Sequence, residues 1–404
     1  MLAQLSAPKP IKDKHRGIAN LLAFALLPLS GFATDVYIPS LPAMATSMHV
    51  SNIQVQMTLT LFLISYGVTQ LFIGSLVDSF GRYKISLYCL LVFTVSCIVI
   101  ANAHSIYIIY LMRVINGITV AGVVVSKRAF FIDLYTGDKL KHYLSLFSII
   151  WSTGPIVAPF VGGYLETAFG WKSNFYFLAG FALVMAFLEH FYSGESLINF
   201  SVFNIKKIGR TYISMFKTTS FTLGLVMLSL AFCMVMIYNL TGPFIIEHTM
   251  GLSPVIAGYS SLILGLAWLA GGLLGKATIN RPFVKRVTIN LALHVLFIAM
   301  MLVSIKYVEN LCAMLFFAFI IHVAAGFTFN NFFTYCLSQF PKNAGIASGL
   351  SGGINYVIVS LFSYVIVLFV PAKDEFNLAL SYLILIGVSV LVMLVLRMKK
   401  EALA

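Results

Sequence analysis

The sequence is short of charge. Charged residues make up 10% of its 404 residues, whereas hydrophobic residues make up 60%. A soluble domain carries roughly 25% charged residues, so this chain lacks the polar side chains to cover a water-exposed surface. The composition therefore excludes an ordinary soluble protein. It indicates an all-α membrane protein, whose apolar helices of about 20 residues cross the bilayer and satisfy their own backbone groups.

Acidic residues are scarce, with 13 Asp and Glu against 26 Lys and Arg, for a formal net charge of +13. In a soluble protein this balance would suggest nucleic acid. In a membrane protein it has a simpler cause, because cytoplasmic loops carry an excess of Lys and Arg. We expect contact with membrane lipid and no nucleic-acid partner.

The sequence also lacks the groups that catalysis or a metal would need. Its cysteines are odd in number, lie in or beside apolar runs, and show no disulfide or metal-ligand spacing: Cys89, Cys97, Cys233, Cys312 and Cys336. No Gly-rich phosphate loop with a Lys and no ordered nucleophile–base–acid set is visible. We expect no enzyme, no cofactor and no metal, and any active transport would have to use an ion gradient.

Twelve apolar stretches predict twelve spans. A polar interruption at 193–220 follows the sixth stretch and divides the chain into 1–16 (tail), 17–192 (first half), 193–220 (central loop), 221–397 (second half) and 398–404 (tail). The spans lie near 17–39, 53–77, 84–102, 105–130, 142–166, 172–192, 221–246, 255–277, 285–306, 310–334, 343–370 and 377–397.

The distribution of basic residues predicts the orientation. With the N-terminus in the cytoplasm, Arg113 falls inside a span, and only Lys172, Lys306 and Lys373 fall on the outer side. Every other Lys and Arg then lies on the cytoplasmic side, which predicts that both termini are cytoplasmic. A signal peptide cleaved near 43–45 is the competing interpretation, but its removal would place the remaining loops on the wrong sides.

Asp35 lies deep in the first predicted span. A carboxylate there costs about 2.5–3.5 kcal/mol on insertion scales, so it should face a cavity or a partner. Such a group is suited to binding and releasing a proton or to contacting a substrate. The alternative is an interfacial Asp that hydrates the outer end of the helix.

Arg113 is the cation that lies well within a span. A buried guanidinium is costly without a polar partner or a wet cavity. Two interpretations stay open: a structural Arg that binds backbone carbonyls near the first span, and a role in proton coupling through Asp35 or a nearby polar group.

The fifth span combines two helix-breaking prolines with small residues, at Gly154, Pro155, Pro159, Gly162 and Gly163. Each proline removes a backbone donor, and the glycines permit close helix approach. The pattern predicts a kinked, tightly packed helix, either static or useful for rocking between states. Polar and aromatic residues in other spans are candidates to line a cavity: Tyr37, Tyr66, Gln70, Asn116 and Asn239.

The loop between the second and third spans contains Gly74, Asp78, Gly81 and Arg82. The charges can hold helix ends together, and the glycines allow a tight turn. This loop resembles the signature loop of the major facilitator superfamily, except that Ser79 stands where an Arg is usual.

Other segments resemble the Bcr/CflA group of drug:proton antiporters within that superfamily. They are the stretch around Asp35 (33–42), the stretch from Arg113 to Gly117, which has Asn116 in place of the usual Gln, the stretch 127–135, and the Gly-Pro run of the fifth span. The resemblance implies two six-helix bundles around a central cavity that opens alternately to each side. It associates Arg113 with proton coupling and the fifth-span motif with antiport.

The resulting hypothesis is a monomeric, proton-coupled antiporter of a bacterial inner membrane that exports a small amphipathic molecule. Asp35 would carry the proton, Arg113 would tune it, and Asp78 and Arg82 would latch the cytoplasmic side. The alternative is a dedicated exporter of a siderophore or another metabolite. Proton symport, a non-transporting sensor and a membrane-embedded enzyme are weaker alternatives, because the chain has no signalling domain or catalytic cluster.

Overall fold

The structure, a computed structural model, describes residues 11–198, 200, 205–340 and 344–398. The expected all-α fold is confirmed, since twelve long helices account for most of the described chain. Eleven of them are long and apolar enough to cross a membrane, and the Pro-containing α5 is the twelfth. The helices are α1 (Arg16–Met48), α2 (Asn52–Phe80), α3 (Arg82–Asn102), α4 (Ile106–Leu134), α5 (Gly137–Phe169), α6 (Lys172–Tyr192), α7 (Thr219–Phe244), α8 (Pro254–Ala277), α9 (Phe283–Ser304), α10 (Leu311–Ser338), α11 (Ala344–Phe369) and α12 (Glu375–Met398).

Parts of the predicted tails and central loop lie outside the described residues. Several basic residues used to predict the orientation are outside the described part of the chain: Lys9, Lys342, Lys399 and Lys400 entirely, and Lys141, Lys206 and Lys207 in their side chains. The described part of the central loop contains one unpredicted element, the linker helix Ile205–Phe216. The Tyr212 hydroxyl of this helix donates to the Leu71 carbonyl of α2 at 2.7 Å, which holds the linker helix against the first half.

The first span is longer than predicted and is broken. The sequence predicted an end near residue 39, but the helix resumes after Pro39 and ends at Met48. Pro28 and Pro39 lie at the two interruptions, where a missing N–H prevents the regular backbone ladder. The segments are Arg16–Leu26, Leu29–Asp35 and Leu41–Met48. Asp35 therefore ends a helical segment in the middle of the span.

Local sequence explains where several helices start and stop. Ser51 and Gln54 form a reciprocal capping box at the start of α2, where the Ser51 N–H donates to Gln54 Oε1 at 2.9 Å. Gly81 has φ +96°, and this left-handed region lets the chain turn sharply from α2 into α3. The Asn310 side chain accepts the Ala313 N–H at 2.9 Å and caps α10.

Glycines bring α5 against α1. A Cβ added at Gly154 would lie 2.6 Å from the Pro28 carbonyl oxygen, and a Cβ at Gly162 would overlap the Val36 carbonyl oxygen. Helices in a bilayer gain little from hydrophobic exclusion, so close backbone packing of small residues supplies much of their association. The predicted tight packing of the fifth span is therefore directed at the broken span.

Two further crossings join the first half, α1–α6, to the second half, α7–α12. In α2 and α11, a Cβ at Gly67 would lie 2.6 Å from the Gly353 carbonyl oxygen. In α5 and α8, a Cβ at Gly163 would lie 2.6 Å from the Pro254 carbonyl oxygen. We call the surface between the halves the seam. At these glycines the backbones of the paired helices are in close contact. A relative movement of the two halves must therefore break these contacts.

Polar contacts close the seam at the end opposite to the start of α1 and the end of α12, which we call the distal end. Gln56 Nε2 of α2 donates to the Leu240 carbonyl of α7 at 2.5 Å, and the hydroxyls of Tyr164 and Tyr259 are 2.9 Å apart between α5 and α8. The Gly163–Pro254 crossing lies at the same end of the seam as these polar contacts, near the end of α5 and the start of α8. The structure is thus a state in which the distal end is closed.

We predict that Gly162→Ala destabilises the protein, because the new methyl group would collide with the Val36 carbonyl. Overpacking of this kind costs about 1–3 kcal/mol. Gly180→Ala in α6 is the matched control, since nothing lies within 4 Å of its added Cβ and alanine has the higher helix propensity. Thermal unfolding in detergent should show a lower midpoint for the Gly162 variant only, and equal midpoints would contradict the crossing.

Candidate functional site

Asp35 lies at the seam, at the end of a helical segment of α1. Its side chain is buried, with 4% exposure, and Asn239 Nδ2 of α7 donates to Asp35 Oδ1 at 3.3 Å. The carboxyl group therefore belongs to the first half and its hydrogen-bond partner to the second. Any separation of the halves at this level must break this bond.

Arg113 of α4 is fully buried beside Asp35 and binds the residues that flank it. Its Nη1 donates to the Ala33 carbonyl at 2.9 Å, and its guanidinium lies over the Tyr37 ring at 4.5 Å from the centroid. On its other side it lies 4.3 Å from the centroid of Phe62. Carbonyl dipoles and the faces of aromatic rings both stabilise a planar cation in a dry site.

A short polar chain completes this contact. Arg113 Nε donates to the Thr58 carbonyl at 3.3 Å, and the Thr58 hydroxyl is 3.0 Å from the Tyr37 hydroxyl. In the part of the chain that the structure describes, the ion pairs within 4.0 Å are Arg82–Asp78, Arg82–Asp133 and Lys127–Glu189, so Arg113 and Asp35 are not directly paired. The structure connects Arg113 to Asp35 through the backbone of α1.

The five predicted cavity residues lie in three places. Tyr37 and Asn239 lie at the Asp35 site, and Tyr66 meets Tyr356 of α11 across the seam with 4.9 Å between ring centroids. Gln70 is half-buried, and its Oε1 lies against Gly352 of α11. Asn116 points the other way, because its Oδ1 accepts the Ser96 hydroxyl and its Nδ2 contacts Cys97 Sγ, both on α3.

The predicted gate residues form a charged corner within the first half. Arg82 pairs with Asp78, and its Nε donates to Asp133 Oδ2 of α4 at 3.0 Å. The Glu195 carboxylate accepts the backbone N–H of Arg82 at 2.9 Å, at the positive N-terminus of α3. A Cβ at Gly81 would overlap this carboxylate, whereas nothing lies within 4 Å of a Cβ at Gly74.

Sequence reasoning missed several members of this corner. Glu189, near the end of the sixth predicted span, is fully buried and binds Lys127 Nζ at 2.5 Å. Asp133 and Glu195 are separated from Arg82 by 51 and 113 positions. Nothing local in the sequence marks these pairs. The Lys127–Glu189 pair did have a usable signal. Lys and Glu are rare inside apolar helices, so each requires a polar partner there.

Comparisons with known proteins are consistent with this geometry. Residues 23–363 match the model of the Major Facilitator Superfamily. A bicyclomycin resistance protein homolog of Haemophilus influenzae is 34% identical over 179 residues, a match that spans 44% of this chain and 44% of that protein. The uncharacterized MFS-type transporter YdgK of Bacillus subtilis is 27% identical and covers 88% of this chain and 89% of that protein. A bacterial homolog of the human lysosomal transporter Spinster, solved in an inward-facing and unoccupied conformation, has a TM-score of 0.72 at 12% identity, covering 97% of this chain and 98% of that chain.

We predict that Arg113→Lys lowers thermal stability although it keeps the charge. Lysine lacks the planar fork that binds two carbonyls while lying between two rings, and a hydrogen bond to a charged group contributes about 1.5–3 kcal/mol. Arg281→Lys, at an exposed position between α8 and α9, is the control. Thermal unfolding checks both variants, and an Arg113→Lys variant as stable as the wild type would show that the fork is dispensable.

Proposed function

The chain belongs to the Major Facilitator Superfamily, and on that premise we propose that it exports a small amphipathic molecule by proton-coupled antiport. The single observation that carries this proposal is the buried carboxylate of Asp35 at the seam, bonded to Asn239 of the opposite half. Similarity to a bicyclomycin resistance protein homolog supports the assignment to the Bcr/CflA group. It also supports a drug-like molecule as the substrate.

In this proposal Asp35 carries the coupling proton. Burying an ionised carboxylate is far more costly than burying a neutral one. Protonation of Asp35 from the outside would therefore favour substrate release and allow the distal end to close over a neutral side chain. Opening of the other end would then release the proton to the cytoplasm and prepare the site for new substrate.

Arg113 would tune this exchange. It holds a positive charge beside α1 and binds Ala33 and Tyr37 on either side of Asp35. When Asp35 is ionised, the two charges together leave the site neutral. Arg113 would also transmit a change at Asp35 to Thr58 of α2 through its second carbonyl contact.

The other predicted residues would control the movement of the halves. We propose that Asp78 and Arg82 brace the corner against which the second half closes on the cytoplasmic side. The crossings at Gly162 and Gly163 would serve as the packed contacts about which α5 moves relative to α1 and α8. We propose that both termini lie in the cytoplasm of a bacterial inner membrane, which the distribution of basic residues supports, and that the protein is a monomer, since one chain contains both halves.

We predict that Asp35→Asn abolishes substrate-triggered proton flux, because the amide cannot exchange a proton. The measurement is pH-gradient dissipation in energised inverted membrane vesicles, with cationic dyes, antibiotics and metal chelators as test compounds. Glu309→Gln, an exposed carboxylate between α9 and α10, is the matched control and should retain the flux. Flux that persists in the Asp35→Asn variant would place the proton site elsewhere. A wild type that moves protons with none of these compounds would contradict broad drug export.

A further inference from the structure

Four aromatic side chains from four helices of the second half meet beside the seam. They are Phe232 of α7, Trp268 of α8, Phe329 of α10 and Tyr356 of α11, and we call them the aromatic cluster. Ring centroids lie 5.6 Å apart for Phe232 and Trp268, 5.1 Å for Trp268 and Phe329, and 5.9 Å for Phe232 and Tyr356. All four side chains are half-buried, so the cluster has a surface that the protein does not cover.

The rings lean against one another and do not stack. The interplanar angles are 48° for Phe232 and Trp268, 52° for Trp268 and Phe329, and 80° for Phe232 and Tyr356. Rings tilted in this way do not cover one another face to face, and Phe329 also makes an offset stack with Phe333 of the same helix, with 6.0 Å between centroids and 7° between planes. An aromatic guest prefers offset-stacked or edge-to-face contact with such rings.

The backbone beneath the cluster is rigidly packed. A Cβ at Gly326 of α10 would overlap the Trp268 carbonyl oxygen of α8, and a Cβ at Gly271 of α8 would overlap the Val323 carbonyl oxygen. Glycines at both positions bring α8 and α10 together at the level of the cluster. The positions of Trp268 and Phe329 are therefore set by the backbone.

A series of ring contacts connects the cluster to the Asp35 site. Tyr356 meets Tyr66 edge-on across the seam, with 4.9 Å between centroids, and Tyr66 stacks on Phe62 at 5.9 Å. Phe62 in turn lies under the guanidinium of Arg113. Tyr356 thus belongs both to the cluster and to the contact between the halves.

We propose that the aromatic cluster is the substrate-binding surface and that it selects planar aromatic molecules by stacking. This inference rests on the proposed export function and specifies its substrate class. None of the four side chains is charged, and the neighbouring charges of Asp35 and Arg113 oppose each other. Planarity therefore matters more than the sign of the substrate's charge. A molecule bound at the cluster shares Tyr356 with the seam and so contacts the element that moves.

The test is equilibrium binding of acridone, a neutral planar aromatic fluorophore, to the purified full-length protein without a proton gradient. Phe329→Leu removes a π-face and keeps an apolar side chain of similar size. Phe319→Leu, on the exposed face of the same helix, is the matched control. An aromatic pair contributes about 0.5–1.5 kcal/mol beyond its buried area, so acridone affinity should fall about 2- to 12-fold in the Phe329 variant only.

A second variant and a second probe separate stacking from folding and general apolarity. Phe329→Tyr keeps the ring and should restore wild-type affinity. Tetrapropylammonium, an aliphatic cation, should compete weakly with acridone in every variant. Equal acridone affinity in the wild type and Phe329→Leu would overturn the proposal. Tetrapropylammonium that competes as strongly as non-fluorescent planar aromatic compounds would also overturn it. So would displacement of acridone by phospholipid alone.

Proton flux in inverted vesicles, measured beside acridone binding for the wild type and Phe329→Leu, distinguishes this inference from the function on which it rests. If acridone binding depends on the Phe329 ring but the wild type shows no proton flux, the binding surface is supported and proton antiport is contradicted. If proton-coupled transport is unchanged in Phe329→Leu, antiport is supported and the aromatic cluster is contradicted as the binding surface.

Discussion

The structure depends on the burial of two ionisable side chains inside an apolar bundle. Arg113 and Asp35 are both buried, and neither has an ion-pair partner within 4.0 Å among the described residues. Their stabilisation comes from the break in α1, which directs the Ala33 carbonyl to Arg113 and positions the Tyr37 ring beneath it. A regular helix would use that carbonyl in its own ladder. The prolines that interrupt α1 are therefore part of the site.

The same break requires close packing from its neighbours. An interrupted helix in a bilayer is tolerated only where surrounding helices satisfy and cover the backbone. Gly154 and Gly162 of α5 allow this by bringing a second backbone against Pro28 and Val36. Because the next residue, Gly163, meets α8 of the opposite half, α5 connects the broken helix to the seam. Packing around Asp35 and contact between the halves are thus properties of one helix.

Much of the fold and part of the site could be predicted from the sequence. The shortage of charge predicted a membrane protein, and twelve apolar stretches predicted its twelve spans. The rarity of ionisable residues inside the spans singled out Asp35 and Arg113 as candidate site residues. The third helical segment of α1, Leu41–Met48, was missed because prolines and polar residues obscure a continuous apolar run. The partners of Arg113 could not be predicted. Every residue has a backbone carbonyl, and many residues of this chain have an aromatic ring, so neither feature marks a position in the sequence. The aromatic cluster was hidden for the same reason, among 35 Phe and 19 Tyr.

We propose that the protonation state of Asp35 controls the distal end of the seam. The most direct measurement is the distance between spin labels at the exposed positions Tyr107 and Tyr307, one on each half at the distal end, with the native cysteines replaced. In the wild type, we expect a short distance at low pH, when Asp35 is neutral and buried, and a growing population at longer distance as pH rises. Asp35→Asn should stay at the short distance throughout. A pH-dependent opening that persists in the Asp35→Asn variant, or a wild-type distance that ignores pH, would contradict the account.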